Sequence, residues 1–253
     1  MDKKNIDIEY SDKVAVVKLN RNITNALDLA LLNELAGILE TLKNDSHVQS
    51  VVLTSTNEKF FSIGFDIPQL IELPEDDFAV FYRTFNRTCL DLYTLPKPTI
   101  AAITGHAVAG GCIVALCCDY RIIAEGKKKM GLNEIKLGVP VPYLADCILR
   151  QIVGHRNARE IMDTGEFYQS ENLLQLGMVD LILPREQVLT QSINKAKLLG
   201  AMPHNAFAMI KNNRVETVKL ETLSKLQEKE QFFLECWYSD ETRKRLREAM
   251  AKF

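Results

Sequence analysis

"GHAVAGGCIVALCCDYR", residues 105–121, sets two adjacent glycines at the head of an apolar run. The run that Gly110 and Gly111 open reads as a buried helix. Glycine lets a ligand touch the backbone, and the first turn of a helix offers unpaired N–H donors to negative charge. The helix start itself holds only Cys112, Ile113 and Val114, so it supplies no acid or base. The negative charge must arrive with a ligand, and the chemistry must come from another segment.

Outward from this stretch, strands and helices alternate. "TIAAITG" (99–105) before it and "YRIIA" (120–124) after it read as strands, as do "KVAVVKL" (13–19) and "VQSVVLTS" (48–55). Asp28 is placed to cap a helix whose inner face carries Leu31, Leu35, Ile38 and Leu42. A second helix, 76–95, ends before Pro96 and Pro98. The alternation predicts an α/β domain. From about residue 184 the strand signal stops, and four helical segments follow. The reading places a core over 1–195 and a helical region over 196–253. In that region "QFFLECWY" gathers large apolar groups, as a packing lid or a subunit interface does.

Composition limits the function. The 253 residues are 47% hydrophobic and 25% charged, which suits a soluble domain with a sizeable core. A net charge of −2, with no global basic bias, argues against nucleic acid and against an anionic membrane surface as partners. The polar start "MDKKNIDIEYSDK" lacks a signal-peptide run, and no apolar span of membrane length follows. A cytoplasmic location is the default expectation, with an organelle matrix after processing left open. The six cysteines form no C-x-x-C pair and read as reduced thiols. The four scattered histidines give no metal-ligand spacing, so no metal is expected.

Common motifs fail. Gly105 and Gly110 have phosphate-loop spacing, but Gly111 stands where the lysine belongs. The dinucleotide G-x-G-x-x-G and the G-x-S-x-G elbow are both missing from the sequence. "RKRLR" (243–247), on a terminal amphipathic helix, reads as a solvated face. Three segments remain. In "KFFSIGFDI" (59–67) a strand's end meets Gly64, then Phe65 and Asp66, where a helix can start. Gly110–Gly111 offers a second amide donor, and two N–H groups converging from separate segments make an oxyanion hole. In "MGLNEIKLGVP" (130–140), Glu134 has apolar neighbours, which raise a carboxyl pKa and suit it to carry a proton.

Taken together, these segments resemble the crotonase family, the enoyl-CoA hydratases and isomerases, from about residue 8 to about residue 190. "FSIGFDI", "AVAGGCIVALCCDYRI", "GLNEIKLGVPVP" and "GHRNAREIMDTG" are similar, in order, to that family's motifs. The resemblance implies a crotonase-like spiral of ββα units with a C-terminal helical oligomerisation region, a homotrimer or a hexamer. It implies an acyl-CoA substrate, no cofactor besides, and an enolate held by the amides of Phe65 and Gly110. Ile63, Gly64, Asp66, Gly111, Ile113 and Asn133 are expected around the substrate. Family hydratases use two glutamates, of which this chain keeps Glu134 and has Ile113 in place of the other. Ala109 stands where the first family glycine usually does. A single glutamate within "GLNE" resembles the Δ3,Δ2-isomerase branch, with Glu134 as the shuttling base. The alternatives are hydration, thioester hydrolysis or decarboxylation, which need a further carboxylate such as Asp146 or Glu166, or a member that binds acyl-CoA without turnover. Asp66 is expected to cap a helix, and Asp119 and Arg121 to form structural hydrogen bonds. Phe60, Phe61, Ile63 and Ile67, together with Phe85, Cys89 and Leu92, are candidates to line the ligand pocket.

Overall fold

The computed structural model describes residues 4–251. Residues 1–3 and 252–253, at the outer ends of the expected core and last helix, lie outside the described residues. A hairpin of β1 (Ile6–Ser11) and β2 (Val14–Leu19) leads into α1 (Leu29–Asn44). The Asp28 side chain accepts from the Leu31 N–H at 2.8 Å and starts that helix as expected. Leu31, Leu35, Leu39 and Leu42 face inward, while Ile38 is half-buried.

A two-strands-then-helix unit then repeats three times. The first is β3 (Ser50–Ser55) and β4 (Phe60–Ser62), followed by α2 (Ile67–Leu70) and α3 (Glu75–Tyr93). The second is β5 (Thr99–Ile103), β6 (His106–Val108) and α4 (Gly110–Leu116). The third is β7 (Tyr120–Ala124) and β8 (Lys129–Gly131), with α5 (Glu134–Leu137) and α6 (Tyr143–Thr164). β9 (Tyr168–Gln169), α7 (Ser170–Leu176), β10 (Leu181–Leu183), α8 (Arg185–Gly200), α9 (His204–Tyr238) and α10 (Asp240–Met250) complete the chain.

The first strand of each unit adds to one sheet, in the order β1-β2-β3-β5-β7-β10, which is parallel from β2 onward. The second strand of each unit adds to a smaller sheet, β4-β6-β8-β9, in which β4, β6 and β8 run parallel. Each turn of chain therefore climbs by one strand in both sheets at once, which is a spiral of ββα units. Val- and Ile-rich stretches fill the central strands because both sheet faces are covered. One face packs on α1, α3, α4 and α6; the other carries Val14, Val16, Val52, Ile100 and Ile122 under Val188 and Ala196 of α8.

Two boundaries differ from the sequence reading. The division near residue 195 falls inside α8, which lies across β2, β3, β5 and β7. Two segments read as separate helices, "NAFAMIKNNRV" and "ETLSKLQEKEQFFLECWYS", form one 35-residue helix, α9, with no glycine or proline inside to break it, whereas "DETRKRLREAMAKF" is the separate helix α10 as read. α9 is fastened to the core by a buried ion pair. Lys211, 1% exposed, places Nζ 2.8 Å from Asp119 Oδ2 and donates to the Lys97 carbonyl. Asp119 also accepts from the Thr99 amide and from Arg214. Arg121 donates to the Cys118 and Met178 carbonyls and to Asp180. Both thus make the structural hydrogen bonds expected of them. Removing one partner of such a pair strands a buried charge. Lys211→Met is expected to lower unfolding stability by about 3 kcal/mol in denaturant titration; an unchanged midpoint would show that α9 is held by apolar contacts alone.

Candidate active site

The small sheet positions the site. β4, β6 and β8 lie side by side in register, with Ser62 opposite Ala107 and Val108 opposite Gly131. Parallel neighbours sit about 5 Å apart. Just past their carboxyl ends come Gly64–Phe65, Ala109–Gly110 and Asn133–Glu134. The three segments singled out in the sequence are therefore brought together by one register, at the strand ends where open α/β folds bind ligands.

The first two segments touch. A Cβ placed on Gly64, whose φ is +92°, would lie 2.9 Å from the Gly110 nitrogen and from the Val108 oxygen. One placed on Gly111 would collide with the Ser62 carbonyl and side chain. Only glycine permits this approach. Phe65 forms a parallel bridge with Leu27: the Leu27 N–H donates to the Gly64 carbonyl, and the Asp66 N–H donates to the Leu27 carbonyl. The intervening Phe65 N–H consequently faces away from Leu27. Among the described residues, neither the Phe65 nor the Gly110 N–H donates to a protein acceptor. Ala109 turns the chain into α4 at φ +46°, ψ −118°, a conformation native to glycine. Holding an alanine there costs about 1–3 kcal/mol, stored beside the two free amides.

Asp66 caps α2 through the Gln69 N–H, as expected. Arg21 then ties the turn down. Its Nη2 lies 2.7 Å from Asp66 Oδ2 and 2.9 Å from Asp28 Oδ2, and its Nη1 donates to the Ala26 carbonyl. One guanidinium thus joins the caps of α1 and α2 on either side of the Leu27–Phe65 bridge.

A cavity of about 570 Å³ opens over these amides. Ile63, Phe65, Asp66, Gly110, Ile113, Asn133 and Glu134 all line it. Gly64 and Gly111 stand behind the wall as packing glycines. Phe60 and Ile67 reach the cavity, whereas Phe61, Phe85, Cys89 and Leu92 are spent on the core. Sequence reasoning missed a basic rim of Arg21, Lys59, His106 and Lys129, and apolar walls from Leu137, Val139 and Pro142. Phe233 and Trp237 of α9 and Met250 of α10 complete the lining. Of "QFFLECWY", read as a packing lid or a subunit interface, Phe232 is exposed, whereas Phe233 and Trp237, four residues apart, turn inward and pack as a lid does. His106 accepts from the Lys129 N–H through Nδ1, and burial together with Lys128, Lys129 and Lys59 pushes its pKa down.

Glu134 is the unusual group. It is 5% exposed, at the start of α5, and its Oε2 has no hydrogen-bond partner. Burial raises its pKa to about 7. Asn133 Oδ1 beside it is likewise buried without a partner. α5 is held from below, where Thr242 Oγ1 of α10 donates to the Gly138 carbonyl at 2.9 Å. Among the described residues, the only other carboxylate on the cavity wall is Asp66, which is paired with Arg21. Asp146 pairs with Arg150, and Glu166 pairs with Lys136 near the surface; neither lines the cavity. The described residues contain no group of three His, Cys, Asp or Glu placed to hold a metal, and no helix long and apolar enough to cross a membrane.

Comparison with known proteins places this arrangement. Residues 9–253 match the family model described as enoyl-CoA hydratase/isomerase, and the chain belongs to that family, the crotonases. Among individual relatives, it is 33% identical over 208 residues to the mitochondrial enoyl-CoA delta isomerase 1 of mouse, covering 82% of this chain and 72% of that protein. It is 32% identical over 205 residues to the short-chain-enoyl-CoA hydratase of Clostridium acetobutylicum, covering 80% of this chain and 78% of that one. Across the mouse, human and rat isomerases the match spans 64–72% of the relative's length. The crystal structure of human mitochondrial delta3-delta2-enoyl-CoA isomerase superposes with a TM-score of 0.95 at 30% identity, covering 98% of both chains.

The raised pKa of Glu134 has a stability consequence. The folded carboxyl keeps its proton up to about pH 7, against an ordinary value of 4.5. Folding stability therefore falls as pH rises through that window, and the deficit is complete above it. Glu134→Gln is expected to gain about 2 kcal/mol relative to the parent protein between pH 5 and pH 8, measured by chemical denaturation at each pH. A gap that does not change with pH would mean the carboxyl is well solvated.

Proposed function

We propose that the protein is a Δ3,Δ2-enoyl-CoA isomerase, moving a 3-enoyl-CoA double bond to the 2-position. The observation that carries this reading is that, among the described residues, the cavity holds a single unpaired carboxylate, Glu134, with aliphatic Ile113 facing the same space. Hydration requires a water to be oriented and deprotonated and a carbon to be protonated, which two carboxylates share readily. Transposition requires only one base. Glu134 removes a proton from C2, and the electrons move onto the thioester oxygen to give a dienolate. The amides of Phe65 and Gly110 donate to that oxygen, each such donor being worth about 3 kcal/mol to the transition state. The proton then returns from Glu134 to C4, the carbonyl re-forms, and the double bond lies between C2 and C3. No atom is gained or lost.

The surroundings support each step. A pKa near 7 lets Glu134 accept a proton and give it back at neutral pH. Ile113, 1% exposed, holds water poorly and disfavours its addition to the conjugated product. The substrate's coenzyme A supplies phosphates for the rim lysines, Lys59 and Lys129. Asn133, which lines the same cavity, is the candidate to orient the Glu134 carboxyl, and no other cofactor enters.

The test is to incubate the protein with 3-enoyl-CoA and, separately, with 2-enoyl-CoA, and to follow products by mass and retention. A 2-enoyl product of unchanged mass is expected, with Glu134→Gln lowering kcat by at least about 10³-fold while the variant still binds CoA thioesters. A product heavier by one water from 2-enoyl-CoA, with 3-enoyl-CoA left unchanged, would establish the hydratase reading, the activity in the name of the Clostridium relative. Near-parental turnover in Glu134→Gln would remove that residue from the chemistry.

The same reading includes assembly into trimers or hexamers. α9 buries Val215, Val218, Phe233 and Leu234, yet leaves Met209, Ile210, Leu220, Leu223 and Phe232 at least 45% exposed on its other sides. A helix apolar on opposite faces suits contact with further copies. Light scattering after size exclusion should give three or six times the chain mass, and a monomer at micromolar concentration would contradict it.

A further inference from the structure

The proposed reaction fixes where the thioester sits and leaves open how long a chain it carries. Phe233 and Trp237 form the α9 wall of the cavity, each 2% exposed. Trp237 stacks on Phe78 with ring centroids 4.2 Å apart, and Phe233 stacks on Tyr82 at 4.0 Å. Phe65, whose amide is one of the two free donors, presses its own ring into the same cluster, 6.4 Å from Trp237 and 4.8 Å from Phe81. The wall thus begins one side chain away from the place proposed for the thioester oxygen.

This wall is held on rigid structure. α9 runs unbroken from His204 to Tyr238. It is pinned near one end by the Lys211–Asp119 pair and at the other by Tyr238, whose hydroxyl donates to the Leu73 carbonyl at 2.8 Å. Between them Glu230 accepts from Asn86 of α3, the helix that carries Phe78 and Tyr82.

We propose that Phe233 and Trp237 close the acyl end of the cavity and limit the protein to short-chain enoyl thioesters. The inference rests on the acyl-CoA reading above. A chain too long for the space gains burial one methylene at a time. To enter, it must prise open both stacked ring pairs at once in a close-packed core, where displacement is resisted. Length is therefore read as a step, set by the rings, rather than as a gradual gain in affinity.

The experiment compares six-carbon and twelve-carbon substrates in the full chain. Isomerisation is assayed with the two 3-enoyl-CoAs, and binding is measured by calorimetry with the two saturated acyl-CoAs. The parent protein should favour the shorter 3-enoyl-CoA in kcat/KM by at least about tenfold, and Trp237→Leu should erase most of that preference. Phe233→Leu, which keeps Trp237 stacked on Phe78, is the second variant and should shift the preference in the same direction should Trp237→Leu fail to fold. Equal turnover of both lengths by the parent protein, or an unchanged ratio in the folded variants, would overturn the wall while leaving the isomerase reading intact. Tighter binding of the shorter saturated thioester with no isomerisation of either substrate would keep the wall and discard the isomerase. Longer chains that bind at least as tightly as short ones would show that the tail leaves beside Met250 instead.

Discussion

The register of three short parallel strands is the constraint on which the rest depends. β4, β6 and β8 are three residues each, yet their pairing sets the turn after Ser62, the turn after Val108 and the start of α5 next to one another. The backbones of the first two turns then meet at Gly64 and Gly111 with no room for a side chain, and Gly110 between them is closely packed against Leu27 and Phe65. Two amides are left without a protein acceptor among the described residues on the wall of one cavity, and a carboxylate lines the same cavity. The cost is visible in the same place: Ala109 holds a glycine conformation, and Glu134 and Asn133 keep buried oxygens without partners. Backbone strain and unsatisfied polar atoms on the wall of a cavity are what a ligand site carries.

The larger elements support this small sheet. The Val- and Ile-rich strands of the six-stranded sheet provide a rigid base, and each returns the chain to the small sheet one position further along. Arg21 locks the caps of α1 and α2 together, and α10 grips Gly138 at the end of α5. The site is therefore assembled from residues between 21 and 250.

Much of this is legible in the sequence, for identifiable reasons. Strands such as 14–19 and 50–55 are long enough, and rich enough in β-branched residues, to show themselves. The Asp28 and Asp66 caps follow local chemistry that needs no tertiary context. Phe65, Gly110 and Glu134 are found because they sit in the family's motifs, and Ile113 because it departs from them. Three-residue strands have no readable period, so the small sheet stays hidden although the glycines at its ends stand out. The basic rim and the Phe233–Trp237 wall are also out of reach. His106 and Lys129 meet only through strand pairing, and the inward turn of Phe233 against the outward turn of Phe232 depends on how α9 docks on α3. The i, i+4 spacing of Phe233 and Trp237 is the one available signal.

The electrostatic design is asymmetric. One carboxylate on the wall is neutralised by Arg21, and the other is left alone in an apolar setting with its pKa raised to about 7. Carboxylates in contrasting environments take contrasting roles, here a structural cap and, in the proposed reaction, a proton carrier. The most direct measurement is a crystal structure with a 3-oxoacyl-CoA, whose enolate mimics the dienolate. The thioester oxygen is expected about 2.7–3.1 Å from both the Phe65 and Gly110 nitrogens, with the Glu134 carboxyl over the acyl carbons between C2 and C4. An oxygen bound by neither amide, or a Glu134 side chain turned away from those carbons, would contradict the mechanism.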